Sequence, residues 1–346
     1  IQELKTILMC SPTPRKNNIQ SKIIDTEQDA SFIPSLAVLC WLGWNGGIMW
    51  LTVLIFVVPS TIFKSVVISI LLLSFILPRE FPGSAGTKIG NWICFNAKKY
   101  FGLKVTIEDY DEIQRYSDED RAVIMAFEPH DILPYSVFCV NKSLSILPGK
   151  VGQSGCALMT SAVFRMPIMK NIYSWLGADS VDKATFRKHL QNGTSLAFCP
   201  GGVQEVMYLD NPDSPHEIVL YLQSRKGFIK LALENGSPIL PVFTFHLDGS
   251  YGYSIPKGKL CGVLARTIGF LPLLFWGRFY IPLGIPYPKK LSVVFGRAID
   301  LPKVEKSQIT IELVNKYHQM FVDEMISLFE RHKLVEGYGH RTLKIC

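Results

Sequence analysis

Chemistry in this chain would centre on His130. It follows the apolar, β-branched run Ala122-Val-Ile-Met-Ala-Phe127, which reads as a buried strand, and it lies two residues after Glu128, with Pro129 between them ending the ladder. A histidine at a strand end, close to a carboxylate, stands where a general base is needed. Taken alone the segment fits a turn histidine without a duty equally well. Two later segments add to it. Pro200-Gly201-Gly202 follows the second buried run, Ser195-Leu-Ala-Phe-Cys199, with Glu205 just beyond, and Arg225-Lys226-Gly227 opens a helix. Paired glycines expose backbone N–H groups that can face an oxyanion or a phosphate. By itself a Gly-Gly pair means only a turn.

Other chemistries find little support. No G-x-S-x-G elbow occurs, and Gly152-Gln-Ser-Gly155 lacks its spacing, so a serine route is disfavoured and Cys199 reads as buried filler. No H-E-x-x-H or cysteine cluster predicts a metal, and no G-x-x-x-x-G-K-[ST] predicts an NTPase. His189, His216, His246, His318, His332 and His340 lack a comparable context and are expected on the surface or in packing.

The elements that would position these residues follow from periodicity. Leu103–Ile107, Ala122–Phe127, Ser195–Cys199, Pro238–Phe245 and Leu291–Phe295 read as strands. Asp131 is expected to cap a helix carrying Ile132, Val137, Phe138 and Val140 on its apolar face. Helices are also expected over Ala157–Leu176, over Lys183–Gln191 behind an Asp182 cap, over Arg225–Glu234, and over Thr310–Lys333 with Leu313, Tyr317, Met320, Phe321, Met325, Leu328 and Phe329 on one side. The fold class predicted is α/β, a mixed sheet flanked by helices.

Composition adds a membrane. Among 346 residues 48% are hydrophobic, high for a soluble chain, and the net charge of +7 suits an anionic partner, a polyphosphate ligand or an acidic bilayer. Scattered basic residues without a zinc-finger or RNP pattern argue against nucleic acid. Eight dispersed cysteines without a C-x-x-C pair read as reduced thiols. Residues 1–31 are polar and of mixed charge, expected as a disordered lead-in rather than a signal peptide. Residues 32–78 read as a membrane-embedded hairpin: Ile33–Phe63 carries no charge, Lys64 interrupts once, Pro59-Ser60 offers the turn, and Trp41, Trp44 and Trp50 are candidate interfacial anchors. The competing reading is a buried helix pair. Basic residues on both flanks place both ends in the cytoplasm. Residues 79–346 form the catalytic domain, within which Thr267–Ile285, apolar but broken by Pro and Gly, reads as a lipid-dipping or tunnel-lining element, or as a core loop.

The motifs Phe127-Glu-Pro-His-Asp-Ile-Leu-Pro134, Met166–Gly177, Pro200-Gly-Gly-Val-Gln-Glu205, Arg225–Phe243, Phe275-Trp-Gly-Arg278 and Phe329-Glu-Arg-His-Lys333, in this order, resemble the diacylglycerol acyltransferase type 2 family, which includes monoacylglycerol and wax-ester acyltransferases. The Glu-Pro-His form looks like the plant and algal version. Asp131 stands where the family usually has Ser or Gly, and Lys170 where Arg is common. The resemblance implies a glycerolipid acyltransferase-like fold and transfer of an acyl group from acyl-CoA, as co-substrate and without a cofactor, to the hydroxyl of diacylglycerol. Monoacylglycerol, a long-chain alcohol, a sterol or a lysophospholipid are the alternative acceptors, and a non-catalytic lipid-binding scaffold is the alternative of another class. His130 is then the base, with Glu128 and Glu205 as its carboxylates and Glu205 the better placed to orient the ring. Gly201 and Gly202 become oxyanion or phosphate donors, and Lys170, Arg225 and Lys226 contacts for acyl-CoA. An endoplasmic reticulum membrane with the catalytic domain cytosolic, or a lipid droplet, is the expected location, and a homo-oligomer is left open.

Overall fold

The computed structural model describes residues 20–209, 216–254 and 273–346. In chain order its main elements are β1 (Lys22–Asp25), α1 (Phe32–Leu42), α2 (Trp44–Val57), α3 (Thr61–Ile76), α4 (Ser84–Tyr100), β2 (Lys104–Ile107), β3 (Ile124–Glu128), β4 (Cys156–Met159), α5 (Met169–Trp175), β5 (Ala178–Ser180), α6 (Lys183–Gln191), β6 (Leu196–Phe198), β7 (Glu217–Leu220), α7 (Gly227–Asn235), β8 (Ile239–Phe245), β9 (Gly252–Ser254), β10 (Leu274–Trp276), β11 (Ser292–Phe295), α8 (Ile311–His332) and β12 (Thr342–Ile345).

One eight-stranded sheet runs β1-β2-β11-β8-β3-β6-β4-β5. From β8 to β5 its strands are mutually parallel, and β11 lies antiparallel to β8. Both faces are covered, as a largely parallel sheet requires. Along β3 the side chains alternate: Met125 and Phe127 enter the core beneath α1 and α4, while Ile124 and Ala126 enter the core beneath α6, α7 and α8. Asp182 caps α6 by accepting the Thr185 N–H at 2.9 Å, as expected. Helix α8 buries Val314, His318, Phe321, Val322, Met325, Leu328 and Phe329, and Met320, expected on that face, is 41% exposed.

Several expectations are corrected. Lys22–Asp25, placed in the lead-in, forms the edge strand β1 against β2, with Ile24 packed on the core and its neighbour Ile23 turned outward, 63% exposed; residues 1–19 lie outside the described residues. The expected helix over Ala157–Leu176 is part strand: β4 takes its first residues into the sheet, and only Met169–Trp175 is α-helical. A short apolar run looks alike in either state until its neighbours are known. Asp131 does not cap an α-helix. It has φ +48°, and Pro134 delays the next helical residues to a 3-10 turn at Tyr135–Val140.

The uncharged N-terminal run is divided into three helices rather than two. Helix α1 packs along α4 and buries Pro34, Ala37, Val38, Trp41 and Leu42, so Trp41 is a core residue and not an interfacial anchor. Helices α2 and α3 carry the exposed apolar surface, with Phe56 81%, Ile62 77% and Ile76 79% exposed. No single helix among the described residues is long and apolar enough to cross a membrane, and α1 with α2 would pass only as a pair bent by 76°. Trp50 reaches back to the domain and donates to the Pro282 carbonyl at 3.1 Å. Of the Thr267–Ile285 segment, residues 267–272 lie outside the described residues. Leu274–Trp276 pairs with β9, and beyond it Phe279 and Tyr280 are exposed.

Candidate active site

Parallel strands β3 and β6 are neighbours, so the turns after them meet at the carboxyl edge of the sheet, the usual place for a ligand in such folds. His130 leaves β3 there, and Gly201 and Gly202 leave β6. Glu128 is the last residue of β3 and fully buried; its Oε1 accepts the Gly201 N–H at 2.7 Å and its Oε2 lies 3.4 Å from Cys199 Sγ. Glu205, equally buried, sits in the 3-10 turn Gly202–Tyr208; its Oε2 accepts the His130 backbone N–H at 2.7 Å and its Oε1 the Tyr221 N–H at 2.9 Å. A Cβ on Gly201 would collide with the Glu205 carboxyl group, so only glycine lets this carboxylate pass.

The two carboxyl groups are hydrogen-bonded to each other in a dry setting, which decides their charge. Burial, and then the charge of Glu205, push Glu128 well above the ordinary carboxylate range. Burial raises Glu205 as well, but the N–H groups of His130 and Tyr221 hold it below Glu128. Glu128 therefore keeps its proton at neutral pH and donates to Glu205, the more acidic member of the pair with a pKa raised to about 7. Cys199 is raised by burial and by Glu128, so it stays a thiol beside the pair and is no nucleophile.

His130 is half-buried. Its Nδ1 lies 2.8 Å from the Asp131 carbonyl oxygen, which can only accept, so Nδ1 carries the proton and Nε2 the lone pair. Nε2 makes no hydrogen bond among the described residues. Burial lowers the imidazole pKa, opposed by the Asp131 carbonyl, so the ring is neutral at pH 7. The ring is thus oriented by a main-chain carbonyl that the left-handed Asp131 turns back on it. Neither glutamate reaches the ring, which corrects the expectation that Glu205 would orient it; Glu205 holds the turn instead. Asp131, raised to about 6 by burial, has its carboxylate on the Ile132 N–H.

The remaining predicted residues separate. Gly201 N–H is committed to Glu128 and Gly202 N–H to Cys199, so neither is directed outward as an oxyanion donor. Arg225 Nη2 contacts the Gly201 carbonyl at 3.4 Å, its guanidinium lies 5.1 Å over the Tyr221 ring, and its buried Nε has no partner among the described residues. Lys226 reaches Asn315 at 2.8 Å. Lys170 donates to the Phe75 and Leu77 carbonyls at 2.8 and 2.7 Å, closing the end of α3. Two motifs outside the site are structural: Arg278 ties to Ser35 at 2.7 Å, and Arg331 and His332 converge on Glu108. Sequence reasoning missed Tyr221 and the Asp131 carbonyl, which act through main-chain atoms that leave no mark on residue type.

Residues 56–344 match the family described as diacylglycerol acyltransferase. The chain is 32% identical over 253 residues to diacylglycerol O-acyltransferase 2 of Dictyostelium discoideum, covering 68% of this chain and 72% of that one. It is 28% identical over 263 residues to acyl-CoA wax alcohol acyltransferase 1 of Mus musculus, covering 72% and 76%. Among solved structures, the 1-acyl-sn-glycerophosphate acyltransferase PlsC of Thermotoga maritima aligns over 86% of this chain and 96% of that one, with 16% identity and a TM-score of 0.39, too distant to inform the site.

Proposed function

The chain belongs to the diacylglycerol acyltransferase family and is an acyltransferase, and from that premise we propose that it carries an acyl group from acyl-CoA to the free hydroxyl of diacylglycerol. The observation that carries this reading is the His130 tautomer: Nδ1–H tied to the Asp131 carbonyl leaves Nε2 as a neutral base at the sheet edge. In the reaction Nε2 takes the acceptor's hydroxyl proton as its oxygen bonds to the thioester carbon. The carbon–sulfur bond then breaks, and the imidazolium returns the proton to the departing thiolate, whose conjugate acid has a pKa of about 8.5 and needs little assistance. Glu205 and Glu128 take no proton from substrate; they hold the histidine turn. Arg225, which lies beside Gly201 and whose buried Nε has no partner among the described residues, is the cation this reading assigns to the thioester end of the donor.

Because one relative bears the name of a wax alcohol acyltransferase, a long-chain alcohol is the alternative acceptor. The proposal also sets α2 and α3 in the lipid of the endoplasmic reticulum or of a lipid droplet, with the catalytic edge cytosolic. Supporting this, both helices expose apolar residues to the outside. At 14 and 16 residues they measure about 21 and 24 Å at 1.5 Å per residue, short of a hydrocarbon core of about 30 Å. Incubating the purified protein with labelled acyl-CoA and a panel of acceptor lipids tests the function. Labelled triacylglycerol should form, and His130→Ala should lower turnover by about 10²–10⁴-fold while the protein remains folded. A variant retaining more than about a tenth of turnover would remove His130 from the base role.

A further inference from the structure

The carboxyl edge of the sheet continues past His130 into a second polar site, and strand register shows where. Glu128 of β3 pairs with Phe243 of β8, Phe245 with Ser292 of β11, and Ser292 with Lys104 of β2. His130, His246, Ser292 and Lys104 therefore lie along one edge on successive strands. At about 4.8 Å between strands, Lys104 is roughly 14 Å from the His130 turn. A cavity of about 610 Å³ opens at this edge, and its charged lining consists of Lys104, Lys289, Lys290 and Arg341 against Asp248 and Glu336. Counting lysine and arginine alone, four cations face two carboxylates, an excess of two positive charges in the lining.

The cavity's own carboxylates are taken by Lys104 and Arg341, which leaves Lys289 and Lys290, the latter in a surface pair with Asp25 that lowers the excess to one. Glu336 takes Lys104 at 2.8 Å and Asp248 takes Arg341 at 3.0 Å, while Lys290 reaches outward to Asp25 at 3.0 Å. Among the described residues Lys289 makes one contact, at 3.5 Å to the Asp248 carbonyl. The cavity wall adjoins the active site: the Asp131 carboxyl, next to His130, is within electrostatic range of Asp248 and Lys289.

We propose that this cavity receives the phosphate groups of the thioester donor, with Lys289 and Lys290 as the contacts, while the thioester lies at His130. The proposal rests on the acyl-transfer reading above. A coenzyme A thioester carries its phosphates at one end of a long flexible arm and its reacting carbon at the other, so its anion site must stand well away from the base. Lysine suits the task as a mobile point charge for phosphate oxygens. The same chemistry would also serve the phosphate of an anionic lipid, and the test separates the two.

The full chain is assayed with two donors that share an oleoyl thioester, oleoyl-CoA and oleoyl-pantetheine, the second lacking every phosphate. With Lys289→Gln/Lys290→Gln the KM for oleoyl-CoA should rise about tenfold, and the KM for oleoyl-pantetheine should hold. Adenosine 3′,5′-bisphosphate should compete with oleoyl-CoA on the unmodified protein and lose most of that effect on the variant, while Lys289→Arg/Lys290→Arg should restore it. An unchanged KM for oleoyl-CoA in the folded variant, or an equal rise for both donors, overturns the proposal. Weaker sedimentation with phosphatidylserine vesicles at an unchanged donor KM also overturns it, by assigning the lysines to lipid. If the unmodified protein transfers from neither donor, the acyl-transfer reading itself fails and takes this proposal with it.

Discussion

Glu205 accepts the backbone N–H of His130 at 2.7 Å, so the carboxylate grips the histidine's main chain and leaves its ring to the Asp131 carbonyl. A residue so placed acts through position. Its loss moves the base instead of removing it.

The two glutamates should therefore respond differently to amide substitution. Glu128 already behaves as a protonated acid, donating to Glu205 and accepting from Gly201, and an amide can do both. Glu205 accepts two backbone N–H groups on separate oxygens, and an amide would turn an NH₂ toward one of them. Glu128→Gln should keep turnover within a few-fold of the unmodified protein. Glu205→Gln should lose kcat by about tenfold or more, a buried mismatch of ~1–3 kcal/mol, with little change in either KM. Steady-state kinetics with both substrates decides it; the reverse order would mean that Glu128 carries the charge.

Titration offers a second check. The His130 pKa is lowered by burial, so the base stays neutral, and transfer persists, until pH falls below the ordinary imidazole value of about 6.5. The acid limb of kcat/KM should lie below that value. The carboxyl pair acts on stability with the opposite sense. Both folded pKa values are raised, so the stability they contribute is complete below the unfolded value of about 4.3 and is lost as pH rises through the folded values. Between pH 5 and 9 the Tm should fall, and it should fall less in Glu128→Gln, which cannot titrate; equal slopes would refute the shared proton.

Gly201 and Gly202 should separate in the same way. A methyl at Gly201 meets the Glu205 carboxyl group, so Gly201→Ala should displace Glu205, cost about 1–3 kcal/mol of stability and remove most activity. Gly202 has φ +66° and open space where a methyl would stand, so Gly202→Ala should cost only about 1 kcal/mol of backbone strain and retain transfer. Urea unfolding and initial rates on both variants test the contrast.

Lys170 should prove a structural contact. Its ammonium closes the last carbonyls of α3, so Lys170→Met should loosen the junction between α3 and α5, seen as faster proteolysis near Leu77, and leave the KM for acyl-CoA unchanged. A selective rise in that KM would return Lys170 to the donor site.

Residue type and spacing were enough to place His130 and Glu128 at a strand end, Gly201 after the neighbouring strand, the Asp182 cap, and the amphipathic register of α8, because each depends on contacts within a few residues or on a period the backbone imposes. They were also enough for the family resemblance, since its motifs are local. Tertiary structure alone decided what those residues do to one another. The pairing of β3 with β6 turned two separate glutamates into a pair sharing a proton, and a left-handed Asp131 gave the ring-orienting task to a carbonyl that every residue possesses. It also took α1 out of the uncharged run and into the core, where α4 supplied an apolar partner that hydropathy along one segment cannot reveal. Lys104, Lys289 and Arg341 meet around one cavity only because the sheet brings their distant segments to a common edge.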